Sequence, residues 1–128
     1  MTAPEWVSFH FGWNIDTPFF ADRRVRRAMS YAFDHDRMLE KLCYGLYKPC
    51  IGTFAEGSWM ASKKKLAPYK QDLDKAEALL DEAGWTDHDG DGIRDKEIDG
   101  RLVPFEFSML VANQPLRVKI AKIGRAHV

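Results

Sequence analysis

The chain has 128 residues, of which 45% are hydrophobic and 12% aromatic, a composition typical of one folded domain that excludes a disordered or fibrous protein. Its 19 basic residues balance its 19 acidic residues, so no overall field attracts nucleic acid or an anionic membrane surface. No apolar run approaches the roughly 20 residues that a membrane-spanning helix needs.

A strand is predicted near the start of the chain, over Val7–Trp13. Its odd positions are aliphatic or aromatic and its even positions are small or polar, which is the period-two pattern of a half-buried strand. The dipeptide Thr17-Pro18 ends it, since proline cannot donate to a strand ladder. The aromatic face of this strand has two interpretations: packing in the core, or an aromatic wall that lines a small-ligand cleft together with Asn14.

Two helices are predicted after this strand. Asp22 is a suitable N-cap for the first. The apolar residues that follow recur at helical spacing and form one stripe: Val25, Ala28, Met29, Ala32 and Phe33. Asp34 is a second candidate cap, and Gly45 is the expected end of the second helix.

A long irregular connection is predicted over Tyr47–Pro68, because this segment contains Gly, Pro, Ser and the basic triplet at 63–65. Asp72 then caps a third helix, and Gly84 stops it.

A hairpin is predicted next, with its turn at Asp99-Gly100, since that dipeptide accepts positive φ at both central positions of a type I′ turn. Its second strand carries apolar residues at alternate positions: Val103, Phe105, Phe107, Met109 and Val111. Pro115 opens a last helix. Residues 123–128 fit no amphipathic continuation of that helix and resemble one reading frame of a sequencing-adapter oligonucleotide. We therefore expect a non-native tail there, which sequencing the locus from intact genomic DNA would test.

The most specific local motif is the acidic loop at 87–95, which resembles a calcium-binding loop. Carboxylates stand at positions 1, 3, 5 and 9 of that pattern and glycine at position 6. The carboxylates are Asp87, Asp89, Asp91 and Asp95. Ile98 replaces the bidentate glutamate of position 12, and a hairpin follows instead of a helix. Two interpretations stay open: a weak calcium site, and an acidic turn whose Asp and Gly residues serve turn geometry.

No catalytic constellation stands out. None of His10, His35 and His88 has a second His or Cys at metal-ligand spacing, and nucleophile-elbow, P-loop and dinucleotide motifs are absent. Cys43 and Cys50 permit a disulfide, although free thiols are the preferred interpretation. We expect a protein that is not an enzyme.

Three segments, taken in order, resemble the extracellular solute-binding proteins that serve peptide, dipeptide and nickel ABC importers. In Phe11–Asp34, a strand ending in Asn leads through a Pro-Phe turn to Asp-x-x-Val-Arg-x-Ala on a helix. Asp72–Trp85 is similar to the family's Asp-Pro-x-x-Ala-x-x-Leu-Leu-x-x-Ala-Gly helix, with Leu73 where proline is usual. The third is the Asp-Gly-Asp-Gly-Ile-Arg-Asp loop with the strand after it. The resemblance runs through about Lys122.

The resemblance implies an α/β fold that is a fragment of the C-terminal lobe of a two-lobed, type II periplasmic-binding-protein-like fold. Residues 1–122 would be the hinge strand and the incomplete start of that lobe. The family's best-known ligand contacts in this lobe lie downstream of Lys122. Within the chain, Phe11, Trp13 and Asn14 are the residues implied to lie nearest the ligand cleft.

The same resemblance implies the substrate-binding component of an ABC transporter, which captures peptides or similar small solutes and delivers them to a membrane permease. The parent protein would be monomeric and periplasmic or extracellular, and associated with the membrane through the transporter or a lipid anchor. No cofactor is expected, although calcium is possible at the acidic loop. The alternative function is a calcium-binding module built on Asp87–Asp95.

Overall fold

The computed structural model describes residues 8–64 and 66–124. The helices are α1 (Arg23–Ala32), α2 (His35–Arg37), which continues into a π-helical turn (Met38–Leu42), α3 (Leu73–Glu82) and α4 (Pro115–Gly124). The strands are β1 (Asp95–Ile98) and β2 (Arg101–Pro104), which form an antiparallel hairpin. This mixture of helices and strands confirms the predicted α/β class. None of the helices in these ranges is long and apolar enough to cross a membrane.

The core lies between α1 and α3. Both helices begin at the predicted caps: an Asp22 carboxylate oxygen accepts from the Arg24 N–H at 2.8 Å, and Asp72 accepts from the Lys75 N–H at 3.0 Å. The predicted stripe of α1 is buried throughout. It packs with α3 and flanking aromatic residues in one cluster: Phe20, Val25, Ala28, Met29, Ala32, Ala76, Leu80, Ala83 and Trp85.

Hydrogen bonds at both ends of the pair fix α1 and α3 as antiparallel neighbours. At one end the Asp72 N–H donates to the Tyr31 carbonyl at 2.9 Å, next to the cap of α3 and the last turn of α1. At the other end the Arg24 guanidinium donates to the Glu82 carbonyl at 2.6 Å. The small alanine side chains between the helices permit this close approach.

The hairpin is attached to the C-terminal end of α3. Lys96 of β1 donates to the Ala83 carbonyl at 2.7 Å, and Arg94 donates to the Trp85 carbonyl at 2.7 Å. The bond from Lys96 satisfies a carbonyl that the end of α3 leaves without an intrahelical partner. The predicted turn is confirmed, because φ is +52° at Asp99 and +75° at Gly100. The predicted end of α3 at Gly84 is confirmed too, with φ +83°.

Two predicted strands are wrong in part. Residues 8–13 form no strand, and Val7 lies outside the described residues. The second hairpin strand ends at Pro104, so residues 105–111 are not part of it. A strand exists only where its backbone groups have a partner ladder, and the described part of the chain supplies no third strand to either segment. Alternation of side chains indicates a strand's faces but not its partner.

The remaining predicted elements follow the structure closely. The second helix ends before Gly45, whose N–H donates to the Leu39 carbonyl at 3.0 Å. The connection over Tyr47–Pro68 contains no helix or strand among its described residues, which exclude position 65. The last helix begins at Pro115 as predicted and reaches Gly124, so it includes the first two residues of the segment 123–128. Residues 125–128 lie outside the described part.

Replacing the cap of α1 should lower stability. Asp22→Ala removes an acceptor for the first turn, and we expect a loss of about 1 kcal/mol at neutral pH. The hydrogen bond from the Arg24 side chain lowers the pKa of the Asp22 carboxyl. The ionised Asp22 carboxylate therefore stabilises the folded state fully above the unfolded pKa of about 3.9. This stabilisation is lost as pH falls through the lower pKa that the carboxyl has in the folded state.

Urea denaturation of Asp22→Ala and the unmodified chain, measured from neutral pH into acid, tests this expectation. The difference between the two free energies of unfolding should become smaller in acid, by the part that the charge of the carboxylate contributes. Asp22→Asn is the matched control, because it keeps a capping oxygen and loses only the ion pair with Arg24. A loss in Asp22→Asn as large as that in Asp22→Ala would show that the ion pair, and not the cap, is responsible.

Candidate functional site

An aromatic cluster covers one end of the α1–α3 pair. Its members come from three separate parts of the chain: Trp13, Phe19, Phe20, Trp85, Phe105 and Phe107. Trp85 lies at the base and is fully buried. Phe19 stacks on it with ring centroids 5.5 Å apart, and Phe105 meets it edge-on at 4.8 Å. The cluster joins the segment before α1 to the segment after β2.

Trp13 lies on the outer side of this cluster. Its ring stacks on Phe20 with centroids 4.6 Å apart and planes 29° from parallel, and the edge of Phe107 meets it at 6.2 Å. Phe11 stacks in turn on Trp13 at 6.1 Å and meets Phe33 edge-on at 5.2 Å. Phe11 is 37% exposed. The rings therefore pass from the core to the surface, so core packing and a ligand-facing wall are compatible at this position.

Asn14 directly follows this wall and begins a turn. Its side-chain oxygen accepts from the Asp16 N–H at 3.0 Å, and its carbonyl accepts from the Thr17 hydroxyl at 2.8 Å. The amide oxygen is thus engaged in local geometry, while the side chain is exposed. The structure stacks Phe11 on Trp13, and Asn14 follows Trp13 in the chain with its amide N–H₂ unbonded among the described residues.

The acidic loop brings three of its four predicted carboxylates together. Oxygens of Asp87, Asp89 and Asp95 lie within 4.8 Å of one another, and Asp91 is not part of this group. The Asp87 carboxylate already accepts hydrogen bonds from backbone N–H groups of the loop. The donors are the N–H of Gly90 at 2.7 Å and the N–H of Gly92 at 3.0 Å. The carboxylates stabilise the turn in the way that the alternative interpretation of the motif predicts.

Asp95 has a further partner that the sequence did not indicate. Its side chain is buried and accepts both from the His88 N–H at 3.0 Å and from Nδ1 of the His88 ring. The hydrogen bond that the His88 ring donates to Asp95 raises the pKa of His88. A cation at the three carboxylates would compete with this imidazole for the Asp95 oxygens. No spacing rule connects residues seven apart in a loop, so this pair could not be found from the sequence.

Thr86, His88 and Asp95 lie in the order of a hydroxyl–imidazole–carboxylate triad, but the geometry does not suit proton transfer. The Thr86 hydroxyl is 3.3 Å from Nδ1 and 3.2 Å from Nε2 of His88. Because the hydroxyl is almost equidistant from both ring nitrogens, it does not lie along the lone-pair direction of either nitrogen.

The two cysteines form no disulfide. Cys43 is buried, Cys50 is exposed, and both are free.

Comparison with known proteins identifies the family. The family model for bacterial extracellular solute-binding proteins, family 5 Middle, matches residues 1–126. The chain is 33% identical over 111 residues to the oligopeptide-binding protein AppA of Bacillus subtilis, covering 86% of this chain and 20% of that protein. It is 32% identical over 100 residues to the nickel-binding periplasmic protein of Escherichia coli, covering 78% and 16%.

Two solved structures share the fold. NikA from Brucella suis, in complex with Fe(III)-EDTA, has a TM-score of 0.73 and 32% identity, covering 89% of this chain and 22% of that one. The oligopeptide-binding protein of Thermus thermophilus, complexed with a pentapeptide, has a TM-score of 0.72 and 28% identity, covering 81% and 17%. The chain thus spans about a fifth of the length of its relatives. It belongs to the family 5 bacterial extracellular solute-binding proteins.

Proposed function

We propose that the chain is part of the substrate-binding component of an ABC importer, which captures peptides or similar small solutes. The observation that carries this proposal is the family match over residues 1–126, together with relatives named for binding oligopeptides and nickel. Because the chain spans about a fifth of these relatives, the function is that of a longer protein. In that protein we assign residues 1–122 to the segment that crosses the hinge and to the incomplete start of the C-terminal lobe.

The mechanism of such a component is capture without chemical turnover. Two lobes close around a solute, and a membrane permease then recognises the closed form, so that the solute shifts a conformational equilibrium instead of reacting. Aromatic walls bind apolar side chains of a peptide, and a few polar groups fix its orientation. Phe11 and Trp13 would supply part of the wall, and Asn14 a polar group at its end.

The proposed partners and location follow from this mechanism. The partners are a peptide or other small solute and the permease of the importer. We place the whole protein, as a monomer, in the periplasm or outside the cell, held at the membrane by the transporter or by a lipid anchor.

Trp13 should report on the ligand in the whole protein. Titration with a mixture of oligopeptides should change the tryptophan emission, and Trp13→Phe should remove most of that change while keeping a ring against Phe20. Trp59→Phe is the matched control, because Trp59 is 87% exposed and outside the aromatic cluster. If Trp13→Phe leaves the ligand response as it was, Trp13 does not lie at the cleft.

Calcium binding is the second candidate function, and the grouping of Asp87, Asp89 and Asp95 within 4.8 Å favours it. If the loop serves only the turn, EGTA should leave the melting temperature unchanged and calorimetry with millimolar calcium should give no heat. A metal-dependent module would instead melt at a lower temperature in EGTA. Binding heat that disappears in Asp87→Asn would establish the calcium site.

A further inference from the structure

Hydrogen bonds, and not regular secondary structure, hold the segment between the aromatic wall and α1. Residues 14–21, which we call the wall turn, contain no helix or strand. The Asn14 carbonyl accepts from the Thr17 N–H at 3.3 Å and from the Thr17 hydroxyl at 2.8 Å. The Thr17 carbonyl accepts in turn from the Ala21 N–H at 3.0 Å. These bonds set the path of the wall turn from the aromatic wall to the cap of α1.

Arg26 connects the wall turn to α1. Its Nη1 atom donates to the Phe20 carbonyl at 2.6 Å and to the Ala21 carbonyl at 2.9 Å. Among the described residues, no other donor reaches either carbonyl. Phe20 is buried, and Trp13 stacks on its ring with centroids 4.6 Å apart. Because close-packed rings cannot shift alone, the position of the Phe20 backbone determines where the Trp13 ring lies.

The contacts of Arg26 differ from those of the neighbouring arginine on α1. Arg24 pairs with Asp22 and donates to the Glu82 carbonyl, so it stabilises the helix pair. Arg26 has no carboxylate partner within the described ranges, and its donors go to backbone carbonyls of the wall turn. A guanidinium suits this contact, because it presents several donors in a rigid plane and keeps its charge.

We propose that Arg26 is a positioning residue for the ligand-facing wall: it holds the wall turn so that Phe20 supports the Trp13 ring. The inference rests on the proposed function, because it takes Trp13 to lie at the cleft. Arg26 acts on the ligand only through Phe20 and Trp13. Its effect on binding therefore depends on the presence of the Trp13 ring.

Calorimetry on the whole protein with the mixture of oligopeptides tests this dependence. Arg26→Met keeps an unbranched side chain and removes the donors, and it should weaken the apparent affinity about tenfold. In a protein that already carries Trp13→Ala, the same substitution should cause no further loss, because the ring that Arg26 positions is gone. A general loss of stability would not depend on Trp13 in this way. Arg23→Met is the matched control, since Arg23 is exposed on the same helix and should be dispensable for binding.

A second variant tests the wall turn without changing Arg26. Thr17→Val keeps the shape of the side chain and removes the hydroxyl that donates to the Asn14 carbonyl. Its loss of affinity should also disappear in the Trp13→Ala protein. Three results would overturn the positioning role while the importer function stands: unchanged affinity in Arg26→Met, equal loss in Arg23→Met, or additive losses in Arg26→Met and Trp13→Ala. No binding heat from the unmodified protein would instead overturn both.

Discussion

Replacing Trp85 by alanine should destabilise the chain by about 3–5 kcal/mol. Trp85 is fully buried and touches both halves of the aromatic cluster, Phe19 at 5.5 Å and Phe105 at 4.8 Å. It also lies under the Lys96 side chain of β1 at 5.9 Å. Alanine would leave a cavity where α3, the hairpin and the segment before α1 meet. Because small domains are stable by only about 5–15 kcal/mol, much of the native population should be lost.

Urea denaturation followed by circular dichroism measures this effect, with Trp59→Ala as the matched control. Trp59 is 87% exposed, and its removal should change the free energy of unfolding by less than about 0.5 kcal/mol. Trp85→Phe should fall between the two. It keeps a ring in the cluster and removes an indole N–H that has no acceptor among the described residues. Equal losses in Trp85→Ala and Trp59→Ala would refute the assignment of Trp85 to the core.

Enlarging Ala76 should cost about 1–3 kcal/mol. Ala76 is 3% exposed in the centre of α3 and packs in the cluster that contains Ala28 and Ala32 of α1. The two helices approach closely because these side chains are small, and hydrogen bonds hold both ends of the pair. Ala76→Leu would force extra methyl groups into a space that the fixed ends cannot widen.

The matched control for this prediction is Ala78→Leu on the same helix. Ala78 is exposed, and alanine and leucine have similar helix propensity, so this variant should have nearly the stability of the unmodified chain. Thermal melts of the two variants should therefore separate. If Ala76→Leu melts at the temperature of Ala78→Leu, the α1–α3 interface is looser than the structure indicates.

The helices could be predicted from local sequence because their start and stop signals are local. Asp22 and Asp72 each cap the helix that follows, and Gly84 adopts the positive φ that ends α3. The stripe of α1 needs only helical periodicity to be recognised. The turn at Asp99-Gly100 has the same local character, since few residues accept its backbone angles.

The strands and the site depended on contacts that local sequence does not encode. The alternation at 8–13 and 105–111 indicated strands, but no described strand pairs with either segment. The stacking of Trp13 on Phe20 and the bond between His88 and Asp95 each depend on how loops fold back. The spacing of the carboxylates in the acidic loop could not decide between an ion site and a turn, because it suits both. In the structure, the carboxylate of Asp87 accepts hydrogen bonds from the backbone of the turn.

We propose that this chain belongs to a protein that captures peptides or similar small solutes for import. The most direct measurement is isothermal titration calorimetry on the protein as its locus encodes it, with mixtures of oligopeptides and other small solutes and with a folded state verified by circular dichroism. We expect saturable binding heat without consumption of the ligand. A folded protein that gives no heat with any of these mixtures, or that chemically converts them, would refute the importer function.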